Sequence, residues 1–207
     1  ITHTVWRSEE RLLLGGHRGF DIAVLEYNVE TSKLVECWAS QEISTGGRYI
    51  KLAALGASVG DCVFIGESYI RAPEIGVIRA GDYQPLVSFD HGVGEQVLKW
   101  IGATEAISWP APDGLEIQGW LIRPKGQDPY PLVLYIHGGP VSQLRPRWWR
   151  VVSHLMLLKR GYAIFFPNPR GSSSRGQEFA RLVQGDMGGA DTFDYLSGLD
   201  YLVEQGI

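Results

Sequence analysis

The run from Leu132 to Ile136 carries no polar alternation and stops at His137-Gly-Gly-Pro140. A strand that is apolar on both faces needs cover on both faces, which points to a central strand of a sheet clad in helices. The two glycines then let the backbone come close to whatever lies beyond the strand end. At the C-terminal edge of an open α/β sheet, that is where ligands bind.

The surrounding residues fit this reading. Ile107-Ser-Trp109 and Leu115 to Ile122, joined through the Asp113-Gly114 turn, read as an opening antiparallel pair. Arg147 to Arg160 reads as a helix with Trp148, Val151, Val152, Leu155 and Leu158 on one face and Gly161 as its stop. Tyr162 to Phe166 reads as the next buried strand and Gln177 to Val183 as a short helix. Ala190 to Gln205 reads as an amphipathic helix with Phe193, Leu196, Leu199 and Val203 inward. Alternating strands and helices imply a mostly parallel sheet covered on both sides.

Residues 1–103 follow a different grammar. Leu12-Leu-Leu14, Ile22 to Tyr27, Leu34 to Trp38, Cys62 to Ile65 and Glu74 to Ile78 are short β-type runs at intervals of about ten residues. That is all-β spacing, as in a sandwich or propeller. The chain therefore divides into an all-β segment, 1–103, and an alternating segment, 104–207.

Composition excludes several functions. A formal charge of -4 over 207 residues, with Lys and Arg scattered, offers no basic field for nucleic acid or an anionic membrane surface. Cys37 and Cys62 lack metal-ligand spacing and do not make a disulfide framework, which fits a reduced, cytoplasmic setting. No apolar stretch approaches the roughly 20 residues of a membrane span. With Ile1 in place of Met and Ile207 closing the last helix, the chain reads as a piece of a longer polypeptide.

Candidate chemistry gathers in three places. Gly138 and Gly139 would supply backbone N–H donors to a developing oxyanion, with Gly139 the leading donor; Pro140 has no N–H and fixes the backbone after them. His137 reads as a structural histidine that orients this loop. In Asn168-Pro-Arg-Gly-Ser172, Arg170 either faces a substrate carbonyl or carboxylate, or ties the loop down through an ion pair. Asp191 and Asp194 open the last helix, where capping and loop bracing explain them better than catalysis. His3, His17, His91 and His154 have no partner spacing that suggests a metal site or triad. Gly56-Ala-Ser-Val-Gly60 spells the Gly-x-Ser-x-Gly nucleophile motif, but it precedes a strand instead of a helix and comes before the glycine loop. Ser58 therefore reads as part of a hairpin or blade turn.

Four motifs in order resemble the prolyl oligopeptidase family of serine peptidases, in its acylaminoacyl-peptidase and dipeptidyl-aminopeptidase-like branch. They are Ser108-Trp-Pro-Ala-Pro-Asp-Gly-Leu-Glu-Ile-Gln-Gly-Trp-Leu121, Tyr130-Pro-Leu-Val-Leu-Tyr-Ile-His-Gly-Gly-Pro140, Gly161-Tyr-Ala-Ile-Phe-Phe-Pro-Asn-Pro-Arg-Gly-Ser172 and Gly185-Asp-Met-Gly-Gly189. Glu67-Ser-Tyr-Ile-Arg-Ala-Pro-Glu-Ile75 is similar to a late propeller segment of the same family. The resemblance implies the N-terminal half of an α/β hydrolase preceded by the end of a β-propeller. It implies a cytosolic exopeptidase acting on short peptides through a Ser, Asp, His triad, without metal or organic cofactor. Of that machinery only the loop bearing Gly138 and Gly139 falls inside this chain; the triad is expected beyond Ile207, and residues 1–207 alone are expected to be inactive. A carboxylesterase on the same fold and a truncated, non-catalytic scaffold are the alternatives. Cleavage preference and oligomeric state, a homo-oligomer included, stay open.

Overall fold

The computed structural model describes residues 1–45, 51–126, 128–149 and 151–207. It falls into two compact units, Ile1–Gly94 with Pro146–Trp148, and Glu95–Arg145 with Trp149–Ile207.

The first unit is built from two antiparallel sheets. One is a meander of β1 (His3–Trp6), β2 (Arg11–Arg18), β3 (Asp21–Asn28) and β4 (Leu34–Ser40). The other contains β5 (Ser44–Thr45), β6 (Leu52–Ala54), β7 (Cys62–Glu67), β8 (Glu74–Arg79) and β9 (Asp82–Ser88), with β5 and β6 both paired to β7. Each strand run expected from the sequence is present, and four short or polar strands (β1, β5, β6 and β9) join them. The sheets share one core: Leu13, Ile22 and Val24 meet Leu52, Cys62, Phe64 and Ile78. Trp38, Phe64 and Tyr83 close it, with ring centroids 5.4 to 6.0 Å apart.

A buried carboxylate ties the two sheets. Glu26 on β3 is 5% exposed and pairs with Arg7 at 2.9 Å and Arg11 at 3.2 Å. Its Oε2 also accepts the Gly60 N–H at 3.0 Å, while Arg7 donates to the carbonyls of Leu55, Gly56 and Asp61. The turn thus held is Gly56 to Gly60, between the antiparallel strands β6 and β7. Its glycines have conformational causes. Gly60 has φ +77°, and a Cβ there would stand 2.4 Å from the Cys37 Cβ. The Gly-x-Ser-x-Gly spelling around Ser58 is the spelling of a crowded hairpin turn.

The second unit begins with α1 (Gly94–Leu98), followed by β10 (Ile101–Pro110), β11 (Glu116–Pro124), β12 (Leu132–Leu134), α2 (Val152–Lys159), β13 (Ala163–Asn168), α3 (Gly176–Arg181) and α4 (Ala190–Glu204). The 103/104 boundary read from the sequence falls inside β10, because that strand pairs along its length with β11. Sheet order is β10-β11-β13-β12. Only β12 and β13 run parallel, as the helical crossover between them requires; the other two pairings are antiparallel, so the expected mostly parallel sheet is here a mixed one.

Burial on both faces falls on β13 more than on β12. All six β13 residues are buried, whereas Leu132, Val133 and Leu134 are half-buried because β12 is the outer strand among the described residues. Alternate side chains of β11 and β13 serve opposite faces. Ile117, Leu121, Ala163 and Phe165 pack with Trp109, Phe179 and Leu202. Phe166 meets His154 of α2, ring centroids 5.4 Å apart, and Tyr135 meets both edge-to-face. Helices α2 and α4 therefore cover opposite faces.

Two helix expectations change. The helix expected from Arg147 begins at Val152. Pro146 precedes that stretch, and the Trp148 N–H donates to the buried Glu67 carboxylate at 3.2 Å. In α4 the inward residues are Asp194, Gly198 and Leu202, with Phe193, Leu196 and Val203 exposed and Leu199 half-buried. The closest approach is made by the smallest residue: a Cβ on Gly198 would lie 2.8 Å from the Trp109 ring and 3.0 Å from Phe165.

This contact sets opposing effects on Gly198→Ala. The helix gains up to about 1 kcal/mol from losing glycine. Overpacking against two fully buried rings costs about 1–3 kcal/mol. A net loss of stability is expected in denaturant unfolding, while Leu196→Ala on the exposed face shifts the midpoint little; a stabilised Gly198→Ala would show that the Trp109 contact is looser than described.

Candidate active site

The glycine loop leaves the sheet where β12 ends. The Tyr135 N–H still bonds to the Phe165 carbonyl at 2.9 Å, and from Ile136 to Trp149 the described backbone has no regular secondary structure. Gly138 and Gly139 are exposed, and among the described residues neither N–H has a hydrogen-bond acceptor. Gly139 has φ +148°, and a Cβ there would stand 3.0 Å from Ser142. At Gly138 a Cβ would meet nothing within 4 Å. The loop therefore needs glycine for conformation at 139, and it presents two uncommitted donors side by side. A cleft of about 560 Å³ opens beside it, lined by Pro140, Val141, Ala180, Val183 and Met187 among others.

His137 faces inward from the same loop. Its Nδ1 lies 3.2 Å from the Gly138 carbonyl and its Nε2 3.2 Å from Ser172 Oγ. A carbonyl only accepts, so Nδ1 carries the proton and Nε2 accepts from the serine hydroxyl. Burial pushes the imidazole below its ordinary pKa, so the neutral ring is favoured. This Ser–His contact is no nucleophile pair: Ser172 is 1% exposed, and the second ring nitrogen meets a carbonyl where a triad has a carboxylate.

Arg170 sits at the centre of the Asn168–Ser173 loop. Its Nε and Nη2 donate to Asp194, and its Nη1 and Nη2 to Asp113, all at 2.8 to 3.1 Å. The Arg170 backbone N–H adds a bond to Asp194 Oδ2 at 2.8 Å. The guanidinium is thus committed to two carboxylates, the ion-pair alternative of the two read from the sequence. The sequence marks Asp113 as a turn residue and Asn168 as a loop residue, without showing the partners of either. The signal for Asp113 was its position at the hairpin turn, where its carboxylate also accepts the Leu115 N–H.

The acids in and just before α4 divide their work. Asp186 Oδ2 accepts the Ala190 N–H and Asp191 Oδ1 the Gly188 N–H, both just before or at the helix start. Asp194 is fully buried and braces the Arg170 loop; its carbonyl also accepts the Trp109 indole N–H at 2.9 Å. Among the described residues no group of three His, Cys, Asp or Glu side chains could hold a metal ion, and no helix is long and apolar enough to cross a membrane. Cys37 and Cys62 are free thiols, and burial pushes Cys62 up to about 11.

The Arg170 hydrogen bonds hold the Asp113 carboxyl down at about 2. A carboxylate with a depressed folded-state pKa stabilises the fold above its unfolded value of about 3.9, and that contribution is lost as pH falls toward 2. The melting-temperature gap between the wild type and Asp113→Asn should be constant near neutral pH and shrink between about pH 4 and 2. A gap that does not change over that interval would show that the contact contributes no linkage.

Residues 149–207 match the Prolyl oligopeptidase family. An uncharacterized peptidase of Bacillus subtilis, YuxL, is 38% identical over 108 residues, 51% of this chain and 16% of that protein. Dipeptidyl-peptidase 5 of Aspergillus oryzae is 30% identical over 143 residues, 66% of this chain and 18% of the relative. The chain thus spans less than a fifth of the length of these relatives. Among solved structures, an acylaminoacyl peptidase of Pyrococcus horikoshii superposes with TM-score 0.76 at 19% identity, over 98% of this chain and 30% of that one. A puromycin-hydrolyzing peptidase of Mycobacterium tuberculosis gives TM-score 0.70 at 18% identity, over 99% and 31%. The β-rich fold resembles the β-propeller region of acylaminoacyl peptidases. Over residues 149–207, then, the chain is similar to the prolyl oligopeptidase family.

Proposed function

We propose that these residues are part of a serine peptidase that hydrolyses short peptides near their N-terminus, releasing an acylated residue or a dipeptide. The observation that carries the reading is the pair of uncommitted N–H groups at Gly138 and Gly139, presented where β12 leaves the sheet. In an α/β hydrolase, an N–H from the loop after the third strand helps the amide following the nucleophile to hold the oxyanion. Here β12 is the third strand of its sheet in chain order, with helices on both faces. Gly139 is the leading donor and Gly138 its neighbour. Ser, Asp and His of the triad belong to the remainder of the parent protein, in which the histidine takes the serine proton and the aspartate holds the imidazole tautomer. Residues 1–207 alone then bind at most weakly and turn nothing over, and neither metal nor organic cofactor enters the reaction. His137 and Ser58 have no part in proton transfer or attack.

The full-length protein should cleave N-acyl-aminoacyl or dipeptidyl p-nitroanilides and should be labelled by a peptidyl phosphonate on a serine outside residues 1–207. Ser58→Ala should retain the full rate. Cleavage confined to p-nitrophenyl esters would move the reading to a carboxylesterase, and a full-length protein that takes no label would leave the scaffold reading.

A further inference from the structure

The loop bearing Gly138 and Gly139 does little to hold itself. Its internal backbone bond among the described residues runs from the Ser142 N–H to the Pro140 carbonyl at 2.8 Å. Donors must nonetheless sit about 2.7–3.1 Å from a developing oxyanion, and a displacement near 1 Å can cost about a hundredfold in rate. The required precision has to come from outside the loop.

It comes from the last residue of β13 and the segment that follows it. The Asn168 carboxamide accepts the Leu144 N–H through Oδ1 at 2.7 Å and donates through Nδ2 to the Leu144 carbonyl at 2.8 Å. One side chain thus pairs with both backbone groups of one residue, as a neighbouring strand would. The Ser173 N–H donates to the Ser142 carbonyl at 2.8 Å, and Ser172 meets His137. Asn168 is 8% exposed, so water competes little for these bonds. Its backbone is in register with Gln118 on β11, and Arg170, two residues on, is locked to Asp113 and Asp194.

We propose that Asn168 is a positioning residue for the oxyanion loop, clamping Leu144 so that the Gly138 and Gly139 amides keep a fixed place relative to the sheet; the proposal rests on the peptidase reading above. Its side chain touches no reacting atom and acts through the loop backbone.

Asn168→Asp in the full-length protein tests this. The variant keeps size and the acceptor for the Leu144 N–H, but sets a carboxylate oxygen against the Leu144 carbonyl. Expected are a kcat about ten- to a hundredfold lower with KM within about twofold, because oxyanion contacts act in the transition state. Amide hydrogen exchange read by mass spectrometry should quicken across 137–144 and stay unchanged across β11 and β13. Should the aspartate variant not fold, Asn168→Ser, which is too short to span both Leu144 groups, replaces it with the same expectations. Unchanged kcat and unchanged exchange would overturn the proposal, as would faster exchange spread equally over β11 and β13, which marks a general loss of structure. A wild type that hydrolyses no aminoacyl substrate sinks the peptidase reading instead, and the exchange measurement then still decides whether Asn168 holds the loop.

Discussion

The second unit depends on one buried ion pair. Asp194 is fully buried on α4, and its neighbour Arg170 is 9% exposed at the side chain. Removing two charges from water costs several kcal/mol per ion after relaxation, and their attraction offsets this only with good geometry and full hydrogen bonding. Here the geometry is of that kind. Nε and Nη2 of the guanidinium both reach the Asp194 carboxylate, and the Arg170 backbone N–H adds a third donor to it. Asp113 takes the remaining side of the guanidinium but is 55% exposed, so solvent screens its share. The bond between Arg170 and Asp194 is therefore the one whose loss would leave a charge stranded in the interior.

That pair joins elements distant in the chain. Asp194 lies on the last helix, Arg170 in the loop after β13, Asp113 at the turn between β10 and β11, and the Asp194 carbonyl receives Trp109 from β10. Trp109 in turn fills the space that Gly198 leaves open, one helical turn beyond Asp194. Fixing Arg170 fixes the Asn168–Ser173 loop, and that loop holds the glycine loop at Ser142 and Leu144. The first unit uses a parallel device with different parts: Glu26, buried between Arg7 and Arg11, secures the Gly56–Gly60 turn that joins β6 to β7. In both cases a buried carboxylate organises a glycine-bearing loop through backbone donors.

Legibility in the sequence followed whether a signal was local. The strands at Ile22, Cys62, Glu74, Leu115 and Tyr162 were readable because apolar runs bounded by turn residues report burial directly. Strands β5 and β6 are two and three residues long and too short to show a period. The inward face of α4 was misread for a physical reason: an apolar count points to Phe193 and Leu196, while the real contact is made by glycine and aspartate, one chosen for size and the other for charge. The apolar spacing of Trp148 and Val151 continues that of Leu155 and Leu158, so a helical period alone places the helix start at 147 instead of at Val152. Gly138, Gly139 and Arg170 were visible as residue types, but Asn168 gains its role only from Leu144, 24 positions away.

His137 shows how an environment decides between chemical roles that a residue type leaves open. A histidine beside a candidate oxyanion loop invites a reading as general base, and a base needs a free lone pair aimed at the nucleophile. In this loop the Gly138 carbonyl forces the proton onto Nδ1, and the lone pair left on Nε2 is taken by the Ser172 hydroxyl. Burial then favours the neutral ring, because a charged imidazolium would give up its hydration and meet a carbonyl and a hydroxyl but no carboxylate. Protonating it would also turn the Nε2 acceptor into a donor, so Ser172 would have to rotate its hydroxyl and accept. The imidazole is therefore most useful here as a neutral strut, joining the loop that carries the donors to the loop that Arg170 anchors.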